Sequence, residues 1–241
     1  MSPYQRFIEA RDFLLQHRTD YEHAYHGYIT PALTEFNWAL DYFDVAARGN
    51  DTPALRLVGE DGSDVSISYA EMALRSNRVA NWLRELGVQR GDRVLLMLPN
   101  RLELWELMLA LIKLGAVMVP TSMLAMPSDL DDRFARGQLR HIIAQSSETA
   151  KFAGLDEGAT RIAVGAPVAG WRNLADSAAA GTDFVPIGVT MAHDPLLLYF
   201  TSGTTARPKL VLHSHESYPV GHLSTMYWIG LKPGDVHWNI S

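Results

Sequence analysis

The segment from Val94 to Leu98 constrains the fold most, because every residue in it is apolar. A strand carries apolar side chains on both faces only where both faces of its sheet are covered, as in parallel sheets flanked by helices. Two further short apolar segments, 116–119 and 196–200, have the same character, and helical patterns alternate with the strands. The sequence therefore predicts an α/β protein with parallel-rich sheets covered by helices.

Helix start and stop signals define the surrounding elements. Ser68 and Glu71 form a capping box before an apolar stripe that ends at Gly87, and a second helix over 103–114 ends at Gly115. The other expected elements are a helix over 4–15, a helix capped at Asn37, a hairpin of 54–58 and 65–69, and a helix capped by Ser128. Residues 180–190 are expected to form a loop before the strand at 196–200.

Three groups of side chains could have either structural or functional roles. The tryptophans on apolar helical faces are predicted to be core residues: Trp82, Trp105 and Trp228. The arginines that follow the Ser128 cap are predicted to form a solvated helix face: Arg133, Arg136 and Arg140. The histidines after residue 209 are His213, His215 and His222; ordinary hydrogen bonding is favoured over a metal site, since no thiolate is available and carboxylates are distant in sequence.

Composition excludes several classes of function. The net charge is −6 and the isoelectric point is about 5.8, which argues against nucleic-acid binding. With no cysteine the chain has neither disulfides nor thiolate metal sites, and this agrees with the cytoplasmic location that we expect. The longest apolar stretch, 104–120, contains Glu106 and Lys113, so a buried helix and strand explain it better than a membrane span.

The run from Tyr199 to Lys209 carries the chemistry. A short apolar strand changes abruptly into hydroxyls, a glycine and a lysine, namely Thr201, Ser202, Gly203, Thr204, Thr205 and Lys209. Backbone N–H groups and hydroxyls donate to phosphate oxygens, and an ammonium neutralises phosphate charge. A Ser/Thr-rich surface turn is the alternative interpretation, but the order of the residues favours phosphate binding.

This run resembles the phosphate-loop signature of the adenylate-forming enzymes, the superfamily of acyl-CoA synthetases, firefly luciferase and peptide-synthetase adenylation domains. The sequence keeps the hydroxyls, Gly203, Pro208 and Lys209 of that signature, and it departs at Ala206, where the family usually has glycine. The segment 36–44 is similar to the medium-chain and aryl acyl-CoA synthetase branch. The resemblance extends from about residue 36 to residue 241.

The resemblance implies an ATP-dependent acyl-CoA ligase. A carboxylic acid attacks ATP to give an acyl-adenylate, and coenzyme A then takes the acyl group, with Mg²⁺ as cofactor. By the same resemblance Thr201, Ser202, Thr204 and Thr205 contact phosphates, Gly203 permits close approach, and Lys209 is the catalytic cation. No metal ligand is assigned within the chain. The partner is a small-molecule acid, expected to be medium-chain or aryl.

The family resemblance also implies a fold that is incomplete at the carboxyl end. We expect amino-terminal helices and a hairpin in 1–67, a first α/β subdomain in 68–190, and the start of a second α/β subdomain with the phosphate loop in 191–241. A repeated turn sequence supports this division. Residues 87–92 and 230–235 share a Gly-x-x-x-Gly-Asp pattern, although two unrelated uses of a common turn would look the same. A new strand is expected at 236–241, and the chain is interpreted as an amino-terminal fragment.

Two functions are alternatives to the acyl-CoA ligase. A P-loop NTPase is disfavoured, because a Walker loop needs Gly-Lys-Ser/Thr, whereas Lys209 lies between Pro208 and Leu210. A catalytically inactive truncated paralogue, acting as a nucleotide-binding or protein-interaction module, stays open. An incomplete sheet edge would also favour self-association as a homo-oligomer.

Overall fold

The computed structural model describes residues 1–155, 158–201 and 208–238. The α-helices in these residues are α1 (Pro3–Gln16), α2 (Tyr21–Gly27), α3 (Asp44–Ala47), α4 (Tyr69–Glu85), α5 (Leu102–Leu114), α6 (Pro127–Gly137) and α7 (Ser217–Ile229). The strands are β1 (Pro53–Val58), β2 (Asp64–Ser68), β3 (Arg93–Met97), β4 (Val117–Pro120), β5 (His141–Gln145), β6 (Thr160–Val164), β7 (Arg172–Asn173), β8 (Pro195–Thr201) and β9 (Lys209–Ser214). A π-helix (Trp38–Phe43) begins after Asn37, and 3₁₀-helices cover Ser146–Phe152 and Leu174–Ala179.

The main sheet has seven strands in the order β7-β6-β5-β3-β4-β8-β9. All neighbouring pairs are parallel except β8 and β9, which form an antiparallel hairpin. The strands β1 and β2 form a separate antiparallel hairpin, as the Asp61-Gly62 turn predicts. The predicted fold class, a parallel-rich sheet with covering helices, is confirmed.

Helices cover both faces of this sheet, which explains why β3 is apolar from Val94 to Met97. Val94 and Leu96 belong to a core shared with α4 and α5, whereas Leu95 and Met97 belong to a second core that includes Leu130 of α6. A third cluster joins α1 to α7 through buried apolar side chains. Since successive side chains of a strand point to opposite faces, each face of β3 meets its own apolar layer.

The helix caps confirm two predictions and correct a third. The Ser68 hydroxyl accepts from the backbone N–H of Glu71 at 3.1 Å, and α5 ends at Gly115 with a φ of 70°. The prediction that Ser128 caps α6 is wrong, because the cap residue is Met126 and the helix begins at Pro127. Proline suits this first position, since its fixed φ is helical and no N–H is lost from the hydrogen-bond ladder.

A long segment without regular structure leads from the 3₁₀-helix at Leu174–Ala179 to β8, and we call residues 180–194 the linking segment. Asn77, Asn81 and Arg84 recur at helical spacing on α4, and their side chains donate to its backbone carbonyls at 2.8 to 2.9 Å. Because the three donors share one face of α4, the helix fixes the path along which the chain enters β8.

A buried ion pair joins the amino-terminal part of the chain to α5. The Lys113 ammonium, fully buried, lies 2.8 Å from the Asp44 carboxylate and donates to the Asn77 side chain at 2.6 Å. Burial lowers the pKa of Lys113, and the nearby Asp44 opposes that shift. Lys113 therefore stabilises the packing of α5 against the amino-terminal part of the chain.

No helix in the described residues is long and apolar enough to cross a bilayer.

Two predictions about apolar positions need correction. Trp82 is buried as expected, but Trp105 and Trp228 are 39% and 86% exposed and are not core residues. The strand expected at 236–241 is absent from residues 236–238, where Val236 and Trp238 are almost fully exposed, and residues 239–241 lie outside the described part. An apolar helical pattern identifies a helix, but it does not show which face another element covers.

The turns at 87–92 and 230–235 adopt the same local structure. Gly87 and Gly230 both have positive φ, at 92° and 79°. In each turn the aspartate carboxylate accepts from the backbone N–H three residues earlier, at 2.8 Å for Asp92 and 3.1 Å for Asp235. This similarity fits both a duplicated subdomain and two unrelated uses of a common turn. The division of the chain at 67 and 190 therefore stays a prediction.

Candidate functional site

The β8–β9 hairpin presents the ends of the predicted phosphate-binding run. Leu196, Leu197 and Leu198 are buried, so they anchor β8 in the sheet, whereas Thr201 and Lys209 are an exposed pair at its end. The Thr201 hydroxyl donates to the backbone carbonyl of Lys209 at 3.4 Å. The structure thus brings the first and last predicted site residues side by side across the hairpin.

The remaining predicted site residues lie outside the described part of the chain. They are Ser202, Gly203, Thr204 and Thr205, and Ala206 lies there as well. Their roles in phosphate binding stay predictions.

Two arginines of α6 contact the hairpin, and the sequence interpretation missed them. The guanidinium carbons of Arg133 and Arg136 lie 5.3 Å and 5.6 Å from the centre of the Phe200 ring. Arg136 also donates to the backbone carbonyl of Pro208 at 2.9 Å. The prediction of a solvated helix face is therefore wrong for both residues.

Arg140 is solvent-exposed, as predicted, but it does not belong to the helix. It lies just before β5 rather than on α6, and it pairs with the buried Asp92 carboxylate at 2.7 Å. Three arginines close in sequence thus have different roles, because α6 ends at Gly137 and the chain reverses before β5.

An aromatic and histidine cluster lies on the other side of β8. The hydroxyls of Tyr199 and Tyr218 are 3.2 Å apart, and His213 and His222 pack against the Tyr218 ring. Burial raises the pKa of Tyr199, and the hydrogen bond with Tyr218 adds to the shift. Tyr199 thus stays a neutral phenol, so this cluster stabilises the hairpin by packing and hydrogen bonding.

His215, just beyond β9, is fully buried. Neither ring nitrogen has a hydrogen-bond partner among the described residues, and the backbone N–H donates to the Asp194 carbonyl at 3.0 Å. Burial lowers the pKa of His215 to about 4; Arg90 lowers it further, and the Asp194 carboxylate, which Arg90 binds, opposes the shift. The ring is therefore neutral near pH 7.

The described residues suit an anion better than a metal ion. An exposed hydroxyl, an exposed ammonium and two guanidinium groups surround the hairpin end, and such groups donate to or attract phosphate oxygens. Among residues 1–155, 158–201 and 208–238, no three histidine, aspartate or glutamate side chains lie close enough together to hold a metal. We therefore assign Mg²⁺ no ligand among these residues and no step.

Comparisons with known proteins identify the family of the chain. The family model described as AMP-binding enzyme matches residues 42–241. The chain is 33% identical over 219 residues to 4-hydroxybutyrate–CoA ligase 1 of Metallosphaera sedula, covering 87% of this chain and 37% of that protein. It is 30% identical over 217 residues to the human mitochondrial acyl-coenzyme A synthetase ACSM5, covering 85% and 38%.

A solved structure shows the same fold. The acyl-CoA synthetase of Brucella canis matches with a TM-score of 0.73 at 24% identity, over 86% of this chain and 39% of that one. The chain belongs to the AMP-binding family of adenylate-forming enzymes, which includes the acyl-CoA synthetases. The resemblance inferred from the phosphate-loop run is confirmed, and the chain spans little more than a third of the length of these relatives.

Proposed function

We propose that this chain supplies the phosphate-binding part of an ATP-dependent acyl-CoA ligase. The observation that carries the proposal is the pairing of Thr201 with Lys209, which presents both ends of the predicted phosphate-binding run at one exposed edge. Family membership supports it. Because the chain spans 37% and 38% of its two relatives, the complete activity is proposed for a protein that contains this chain within a longer one.

The proposed reaction has two steps. A carboxylate oxygen attacks the α-phosphorus of ATP, the bond from that phosphorus to the bridging oxygen breaks, and pyrophosphate leaves. The thiol of coenzyme A then attacks the acyl carbonyl, loses its proton, and displaces AMP. Lys209 places a positive charge where negative charge grows on pyrophosphate, so its contribution is electrostatic and belongs to the first step.

The substitution Lys209→Ala tests this assignment. We expect about a 100-fold loss of ATP–pyrophosphate exchange, in the range found when a preorganised charge-stabilising donor is removed. Thioester formation from a supplied acyl-adenylate should change much less. Lys232→Ala, an exposed lysine in the turn after α7, is the matched control and should leave both steps unchanged. Equal slowing of both steps by Lys209→Ala would contradict the assignment.

The same assay addresses the wider proposal. Exchange should be measured on the 241-residue chain and on any longer product of its gene, with medium-chain, aryl and short hydroxy acids. The hydroxy acids are included because one relative is a 4-hydroxybutyrate–CoA ligase. Exchange by neither product would refute the ligase and favour an inactive nucleotide-binding or protein-interaction module. If Ala206→Gly restored ATP–pyrophosphate exchange, the loss of activity would be due to the alanine in the predicted phosphate loop.

Location and assembly belong to the same proposal. We place the protein in the cytoplasm, supported by its lack of cysteine, and fractionation of cells that express it tests this location. Self-association is proposed from the exposed apolar side chains of β9, Leu210 and Leu212 among them, and analytical ultracentrifugation tests it.

A further inference from the structure

Helix α6 holds both strands of the β8–β9 hairpin at the end that carries the predicted phosphate-binding run. On the β8 side, the Phe200 ring lies beneath the guanidinium groups of Arg133 and Arg136 and beside Gly137, which is buried. On the β9 side, Arg136 donates to the carbonyl of Pro208, the residue immediately before the strand. The Arg136 side chain therefore contacts the residues that immediately precede Thr201 and Lys209, the two ends of the predicted run.

Asp132 orients Arg136 for this double contact. The Asp132 carboxylate accepts from Nη1 of Arg136 at 2.9 Å, one helical turn away, while Nη2 donates to the Pro208 carbonyl. A planar guanidinium that is fixed along one edge presents its other donors in a set direction. Lysine has no such second edge, so it cannot make both contacts in the same geometry.

The burial of these groups sets this contact apart from an ordinary surface ion pair. The Arg136 and Asp132 side chains are 30% and 29% exposed, and Phe200 packs against the core that contains Leu130 and Leu198. Partly desolvated charge pairs and cations over aromatic rings are stronger than exposed ones. The contact also spans 72 residues of sequence, so it fixes tertiary position rather than helix stability alone.

We propose that Arg136, oriented by Asp132 and assisted by Arg133, is a positioning residue that sets the separation and direction of the two ends of the 201–209 run. The positioning claim stands on the described contacts alone. Its consequence, weaker ATP binding when the contact is lost, rests on the proposed function. Arg136 acts through the hairpin and is assigned no contact with substrate.

The first experiment measures position without activity. Amide hydrogen exchange is recorded by NMR on the 241-residue chain for Phe200 and Leu210, the pair next to the hairpin end. Arg136→Gln should speed their exchange at least tenfold, Asp132→Asn should act in the same direction, and Arg136→Lys should give an intermediate value. Exchange in β3 should not change, and Arg78→Gln, an exposed arginine on α4, is the matched control. Unchanged exchange at Phe200 and Leu210 in Arg136→Gln would overturn the proposal.

The second experiment measures the consequence. In whichever product of the gene shows ATP–pyrophosphate exchange, Arg136→Gln should raise the KM for ATP at least fivefold, with the KM for the acid unchanged and partial recovery in Arg136→Lys. A faster-exchanging hairpin with an unchanged KM for ATP would overturn the functional half. If the unsubstituted protein shows no exchange of pyrophosphate, the proposed function fails, while the hydrogen-exchange result still decides the positioning claim.

Discussion

His215 makes the stability of this chain depend on pH in a defined direction. Its ring is fully buried and, among the described residues, both ring nitrogens lack a hydrogen-bond partner, so protonation places an unpartnered charge in the core. The groups that act on it are Asp194, which favours the charge, and Arg90, which opposes it. Burial dominates and lowers the pKa of His215 from 6.5 to about 4.

The sign and size follow from proton uptake. Between pH 6.5 and pH 4 the unfolded chain binds a proton at this position and the folded chain does not, so falling pH favours unfolding. The two pKa values give a loss of about 1.4 kcal/mol in the free energy of unfolding between pH 7.5 and pH 5.5. Below pH 4 the full loss reaches about 3 kcal/mol.

Urea unfolding of the 241-residue chain and of His215→Gln, at pH 7.5, 6.5 and 5.5, measures this effect. Glutamine does not titrate, so the free energy of unfolding of the variant should fall by about 1.4 kcal/mol less than that of the unsubstituted chain across this range. The comparison uses the pH dependence, so a general loss of stability in the variant does not affect it. Arg78→Gln, at an exposed position on α4, is the control for an exposed substitution to glutamine and should keep the original slope. Parallel pH profiles for the unsubstituted chain and His215→Gln would refute the reasoning.

Three further predictions use the same unfolding assay at pH 7.5. Lys113→Met should cost about 3 kcal/mol by leaving Asp44 partly buried without its cation, and adding Asp44→Asn should restore part of the loss; no restoration would argue against the ion pair. Gly115→Ala should cost at least about 1 kcal/mol, because φ is 70° and the added Cβ would lie 3.1 Å from the Arg90 side chain; a neutral result would contradict this helix end. Trp228→Ser should change stability by less than about 0.5 kcal/mol, whereas Trp82→Ala should cost about 3 kcal/mol or more, and similar costs would contradict their different burial.

The sequence predicted those features that short segments determine. The apolar run of β3, the Ser68 cap and the glycine after α5 each act within a few residues, and the structure confirms them. Pattern and capping act locally, so these elements and the covered parallel sheet could be inferred from the sequence.

The errors concern partners that lie far away in the chain. Arg136 was predicted to be solvated, but it contacts the carbonyl of Pro208, 72 residues away in the chain. The sequence placed Lys113 in a buried helix, but it did not show that Asp44 pairs with it. Spacing along one helix carries no information about these contacts. For the candidate site, the sequence identified Thr201 and Lys209, but the arginines that reach the hairpin came only from the structure.

The strand order has a consequence for how firmly the two ends of the predicted run are held. β8 lies between β4 and β9, and its buried leucines pack in the cores on both faces of the sheet. β9 is the last strand in this order, so within the described part of the chain it pairs with β8 alone. Fraying of the sheet at this edge would therefore displace Lys209 before it displaces Thr201, whose strand is held on both sides.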